Sequence, residues 1–237
     1  MFEVKDLSVS FQKDGEAFCI LNNLSLSIPS GQFFVLLGKS GCGKTTLLRT
    51  LGGFLKPDSG SIQIDGKTVT TPSKERVMVF QSFDQLFPWF TLEENLLYAL
   101  KKCGISKSEG KNIAKECLAM TGLSGFENQY PSALSGGMKQ RGALARALSL
   151  KPSILLMDEP FSSLDYLTRQ SIQGLVRELT KKTGCTVLLV THDIEEAITL
   201  GDRIGILDKT TKKISSFYLP SEHTKKELHE CLIKELA

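Results

Sequence analysis

Residues 38–46, GKSGCGKTT, fit G-x-x-x-x-G-K-[ST] with Gly38, Gly43, Lys44 and Thr45 in the fixed places. Each residue type has a task in holding phosphate. Gly38, Gly41 and Gly43 let backbone N–H groups curl around phosphate oxygens without Cβ clashes, and Lys39, Ser40, Cys42 and Thr46 complete the loop. Lys44 has the reach for β- and γ-phosphates, and the Thr45 hydroxyl can ligate Mg²⁺. Cys42 has two readings: filler of a tolerant position, or a thiol activated by the positive end of the following helix.

Two carboxylates, Asp158 and Glu159, close the apolar run ILLM at 154–157. Neighbouring residues at a strand end point in different directions, so two roles are natural. Asp158 is expected to hold Mg²⁺ through water, and Glu159 to orient or polarise a water attacking the γ-phosphate. The bland alternative is an acidic turn before Pro160, and the phosphate loop upstream weighs against it. His192, in VTHD, and Gln81, after RVMVF, stand at the ends of two further apolar runs. In open α/β sheets that edge carries ligands. His192 is expected to touch the γ-phosphate, and Gln81 to sense the metal and the nucleophilic water without adding charge. Lys44, Gln81, Glu159 and His192 make the expected catalytic set, and Thr45, Gln81 and Asp158 the expected metal set.

A second anion-suited stretch, LSGGMKQRGALARAL at 134–148, lacks the lysine–threonine pair. In it Ser135, Gly136 and Gly137 open a helix-forming run that carries Lys139, Arg141 and Arg146. Exposed N–H groups and the dipole at a helix start favour an anion there. The residues alone leave open whose phosphate it meets.

These side chains need a scaffold, and the hydrophobic pattern supplies one. The first 30 or so residues alternate as strands, and FFVLL (Phe33–Leu37) is a continuous apolar run suited to burial on both faces. TTLLRTLGGFL predicts a helix after the loop, and SIQIDG and RVMVF predict strands. From about residue 82 to 151 the pattern turns helical. Thr91 and Glu94 form a T-x-x-E capping box, Ile113, Cys117 and Met120 keep helical spacing, and Gly122 is a stop. Strands resume at ILLM, TVLLV and IGIL, alternating with helices, and HTKKELHECLIKELA predicts a short amphipathic helix packed on the core. The whole is a parallel α/β core interrupted by a helical insertion.

Bulk properties exclude several classes. A net charge of +3 and 23% charged residues give no electrostatic case for nucleic acid. No apolar run approaches the roughly 20 residues that span a bilayer, and the N-terminus lacks a signal profile. The six cysteines show no C-x-x-C pair, which suits a reducing cytosol. A membrane role is expected to come through a partner.

The phosphate loop, LSGGMKQR, LLMDEP, SSLD and THD, in this order, resemble the ATP-binding cassette (ABC) ATPases over nearly the whole chain. The resemblance implies a P-loop NTPase fold: a RecA-like parallel-sheet core, an N-terminal antiparallel β-subdomain and an inserted α-helical subdomain. Core and β-subdomain would cover about residues 1–81 and 152–237, and the helical subdomain about 82–151, within one domain over 1–237. It further implies ATP and Mg²⁺ as cofactors. Ser135, Gly136 and Gly137 of one chain would close over ATP on the phosphate loop of a second, with Asp165 at the dimer interface. Phe11 stands where the family often stacks an aromatic on adenine; Phe18 is the alternative, and either can instead be core.

LFPWFTLEENLLYAL, DEPFSSLDYLTR and THDIEEAITLGDR look like the nitrate/sulfonate/taurine-type importer ATPases. Departures are Lys139 in place of the usual arginine and Ser162–Ser163 in place of Gly–Ala. The implied assembly is a homodimer, or a heterodimer with a similar ATPase, on integral-membrane permease subunits at the cytoplasmic face of the membrane. An extracytoplasmic solute-binding protein would act indirectly. SFDQLFPWF would begin a groove for a cytoplasmic permease helix, with Phe87, Trp89 and Phe90 suited as anchors, although Trp89 is expected in the local core. No regulatory domain is expected after the core. Two rivals differ in class. A soluble ABC protein of translation or repair usually has tandem cassettes or a long coiled-coil insertion, neither of which appears in this chain. A non-hydrolysing ATP-gated module fits poorly with Glu159 and His192 in place.

Overall fold

The computed structural model describes residues 1–13, 15–81, 85–162 and 164–236. The alternating start of the chain becomes two long antiparallel strands, β1 (Phe2–Lys13) and β2 (Glu16–Ile28). Next come β3 (Phe33–Leu37), α1 (Lys44–Leu51), β4 (Ser59–Ile64), β5 (Lys67–Thr68) and β6 (Arg76–Val79). Helices α2 (Leu92–Lys102), α3 (Lys107–Met120) and α4 (Gly136–Ser149) then separate β6 from β7 (Ile154–Asp158). The chain continues with α5 (Tyr166–Thr183), β8 (Thr186–Thr191), α6 (Ile194–Leu200), β9 (Arg203–Leu207), β10 (Ile214–Tyr218) and α7 (Lys225–Leu236).

Two sheets result. One has the order β2-β1-β4-β5 and is antiparallel; the other has the order β10-β9-β3-β8-β7-β6 and is parallel apart from β10. The run FFVLL is apolar throughout because β3 lies centrally with helices on one face and the second sheet on the other. Phe33, Val35 and Leu37 enter a core with side chains of α5, α6 and α7, while Phe34 and Leu36 enter one with α1 and the antiparallel sheet. Burying a large apolar side chain contributes about 1.5–3 kcal/mol, so five such positions fix the strand in place. All the chemistry-bearing strand ends are thereby held at one edge.

The inserted helices have their own core, which includes Leu92, Leu96, Leu118 and Leu123. The predicted capping box is made: Thr91 Oγ1 accepts from Glu94 N at 3.2 Å, and Glu94 Oε2 accepts from Thr91 N at 2.8 Å. Gly122, just past α3, takes φ +67, the left-handed conformation expected of a helix stop. The tail forms α7, with Leu228 and Leu232 buried in the same core as Phe33.

Trp89 contradicts the sequence reading. It is 66% exposed rather than part of the core. Half-buried Phe87 occupies the centre of the cluster instead, with ring centroids 5.6 Å from Trp89, 5.9 Å from Phe90 and 5.2 Å from Tyr98. Leu86 and Leu92 fill the interior that Trp89 was expected to share. Ser82, Phe83 and Asp84 of the same segment, and Ser163, lie outside the described residues. Among the described residues, no helix is long and apolar enough to cross a membrane.

Candidate nucleotide site

Leu37 ends β3, and the loop to α1 turns back over the strand end. Gly43 takes φ +107 there, and a Cβ on it would lie 2.9 Å from Ile20 Cγ2, so both conformation and space demand glycine. At Gly38 the constraint is space alone: a Cβ would meet the Leu207 carbonyl oxygen at 2.9 Å. Lys44 is buried and donates from Nζ to the carbonyl oxygens of Gly38 at 2.7 Å and Lys39 at 3.2 Å. Its ammonium therefore sits inside the curl of the loop.

Cys42 is also buried, under the loop, where burial pushes its thiol up despite the nearby Lys44 charge. That removes the activated-thiol reading, because desolvation of the thiolate outweighs the favourable field of Lys44 and the backbone N–H groups. The packing reading stands.

Thr45 Oγ1 donates to Asp158 Oδ1 at 3.1 Å. Asp158 closes β7, and burial raises its carboxyl above the ordinary value, opposed by the Thr45 bond. One residue on, Glu159 has φ +45, left-handed for a non-glycine residue, and its N–H bonds Val190 O of β8 at 3.0 Å. This turn swings its side chain away from that of Asp158. Glu159 Oε2 accepts from Gln81 Nε2 at 3.2 Å and lies 3.0 Å from His192 Nδ1. Three strand ends, those of β6, β7 and β8, thus converge on one carboxylate.

Ser40, Gly41, Gly43, Lys44, Thr45, Thr46, Gln81, Glu159 and His192 line one cavity of about 410 Å³, with Ile20. Ile20 escaped the sequence reading. It sits where the β1–β2 register shifts, and nothing in its local spacing marks a bulge that faces a loop more than twenty residues away. Phe11 and Phe18 are exposed partners across β1 and β2, which rules out the core alternative for both. Directly opposed residues share a sheet face, so the structure does not choose between them.

Ser135, Gly136, Gly137 and Asp165 do not line this cavity. Ser135 caps α4, accepting from Met138 N at 3.3 Å, and Asp165 caps α5, accepting from Thr168 N at 3.1 Å. The two caps are neighbours, since a Cβ on Gly137 would lie 3.4 Å from Leu164 of the Asp165 loop. The arginines of α4 are committed elsewhere. Arg141 Nη1 donates to the carbonyls of Thr121 and Gly122, and Arg146 lies 5.5 Å over the Phe87 ring. Only the helix start itself, with its small residues, is presented outward.

Among the described residues, no group of three or more His, Cys, Asp and Glu side chains gathers as a metal cage. The hard oxygens of Thr45 and Asp158 nonetheless fit Mg²⁺, which takes one or two protein oxygens and completes its shell with water and substrate phosphates.

The ABC transporter family profile matches residues 21–162. The chain belongs to that family. It is similar to proteins named as import ATP-binding proteins. It is 50% identical over 193 residues to an Fe(3+) ions import ATP-binding protein of Escherichia coli O157:H7, covering 80% of this chain and 55% of that protein. It is 43% identical over 208 residues to a taurine import ATP-binding protein of Pseudomonas aeruginosa, covering 88% and 79%. A solved dimeric ATP-binding cassette in a post-hydrolysis state, bound to ADP and Pi, matches with TM-score 0.85 and 34% identity over 93% of this chain and 99% of that one.

Proposed function

We propose that two copies of this cassette close head to tail over two Mg·ATP, hydrolyse them and reopen, driving import through separate permease subunits. The observation that carries the reading is the Glu159 carboxylate, held between Gln81 and His192 at the rim of the phosphate-loop cavity. A carboxylate fixed at that point can align and deprotonate a water facing the γ-phosphate. His192 keeps Nε2 for the phosphate when Nδ1 faces Glu159, and Gln81 keeps its amide oxygen for the metal. Lys44 exchanges its loop carbonyls for β- and γ-phosphate oxygens, while Thr45 and Asp158 hold Mg²⁺. The metal, when bound, neutralises charge on the phosphates. Phe11 or Phe18 offers an exposed ring to adenine.

Ser135, Gly136 and Gly137 complete the partner's site rather than their own, with Asp165 beside them. Support comes from the exposure of Ser135 and Gly136 at the start of α4, with exposed Asp165 capping the neighbouring helix. The same reading makes residues 1–237 one ABC domain, with the helical subdomain at about 82–151. Exposed Trp89 and Tyr98, with half-buried Phe90 between them, form the aromatic rim for the permease, at the cytoplasmic face of the membrane. Relatives are named for solutes as unlike as Fe(3+) and taurine, so solute choice is assigned to the permease and an extracytoplasmic receptor, and a small anion or nutrient is the class proposed.

Ser135→Arg tests the arrangement. Each chain should still bind ATP, measured by equilibrium dialysis, while hydrolysis and the ATP-dependent dimer are lost. Unimpaired hydrolysis would defeat the assignment in trans.

A further inference from the structure

His192 presents its imidazole from a turn, with the side chain 64% exposed and Glu159 as a facing contact. The backbone beneath an exposed ring sets the direction of its Cα–Cβ bond, and so which partners the ring can reach. The fixing groups are on either side of it. Thr191, the last residue of β8, donates from Oγ1 to Glu196 Oε2 at 2.7 Å and accepts on the same oxygen from Asp193 N at 3.0 Å. One hydroxyl therefore ties down the residues before and after His192.

Glu196, in the first turn of α6, is 5% exposed, and its second oxygen accepts from Gln173 Nε2 of α5 at 3.3 Å. Burying a carboxylate is costly unless it is bonded, and here burial also raises its pKa. Capping of α6 does not need this side chain, because Asp193 Oδ1 already accepts Glu196 N at 3.2 Å. Asp193 is itself held by Arg169, with Nη1 to Oδ2 at 3.5 Å. Among the described residues the carboxylate bonds the hydroxyl of the turn and the amide of α5, so holding that turn is the task left to it.

We infer that the Thr191–Glu196 pair is a positioning device for His192, fixing the turn so that the imidazole meets Glu159 and the γ-phosphate at once. This rests on the role given to His192 in the proposed function. Neither residue touches nucleotide; both act through the direction of the imidazole.

The test compares near-isosteric variants of the full chain by steady-state hydrolysis. Thr191→Val removes the hydroxyl and keeps the shape. It should lower kcat about tenfold, or about 1.4 kcal/mol, with KM for ATP within about twofold. Thr191→Ser and Glu196→Gln, which each keep one side of the bond, should stay within about threefold of wild type, and Glu196→Leu should match Thr191→Val. Combined with His192→Ala, Thr191→Val should have no further effect, since its route is gone. Wild-type kcat in Thr191→Val beside an inactive His192→Ala overturns this inference alone. Wild-type turnover in His192→Ala overturns both it and the role of His192. An equal loss from Thr191→Val with and without His192 also overturns it, because the hydroxyl would then act through the fold at large.

Discussion

Replacing Glu159 by glutamine isolates one property of the site. The amide has the same length and occupies the same left-handed backbone position, so neither the turn at φ +45 nor the loop carrying Lys44 is disturbed. What disappears is a carboxylate that accepts from Gln81 at 3.2 Å and faces His192 Nδ1 at 3.0 Å. A positioned general base contributes about 10²–10⁴ in rate, and Gln can still bond water, so a fall in kcat of about 10²–10³ is expected, or about 3–4 kcal/mol of barrier. Nucleotide affinity should hold within about threefold, because the phosphate-binding groups lie on a different strand end. A complex that binds ATP and cannot cleave it should stay closed. Size-exclusion chromatography with ATP and Mg²⁺ is expected to show a dimer for Glu159→Gln, and adding Ser135→Arg should abolish it. Turnover within about threefold of wild type would refute Glu159 as the polarising group.

Trp89→Ala should leave Tm within about 2 °C, as expected for an exposed side chain, yet abolish co-purification with a hydrophobic membrane partner; retained capture would remove Trp89 from the docking rim. In native protein at pH 8, iodoacetamide should label exposed Cys19 and spare buried Cys42, as read by mass spectrometry. Equal labelling rates would contradict the buried, protonated thiol. Partial burial alone would raise the Asp202 carboxyl, but bonds from Arg177 and Phe33 N hold it below its ordinary value. A depressed folded pKa stabilises above the unfolded value and is lost as pH falls through the folded one. Asp202→Asn should therefore lower Tm at pH 7 and have a vanishing effect in strong acid; a constant difference across pH would refute the linkage.

Which parts of this molecule the chain reveals by itself follows from the range of each interaction. β3 and β7 were legible because burial on both faces leaves an uninterrupted apolar run. Thr91 and Glu94 were legible because a capping box is a contact between near neighbours. The loop at 38–46 carries its whole chemistry in nine consecutive residues. Trp89 was misread because size and hydrophobicity say nothing about direction, and Phe87, two residues away, took the central place. Ile20 and Gln173 belong to the site and its support through approaches across the fold, which leave no local period. Ser135 is intermediate. Its capping role follows from its position, whereas the chain whose phosphate it meets was supplied by family resemblance and awaits the Ser135→Arg test.

The two carbonyl bonds of Lys44 bear on speed as well as on grip. Held by Gly38 and Lys39, the ammonium supports the curled form of the loop from within, which lowers the ordering that binding would otherwise require. The same bonds form a ready substitute for phosphate oxygens. In the proposed cycle, when a γ-phosphate leaves, Lys44 returns to carbonyl partners within its own loop rather than standing bare in a buried site. On that proposal, departure of product is eased by the hydrogen bonds that shape the entrance, and a site built to hold triphosphate firmly can still empty on every cycle.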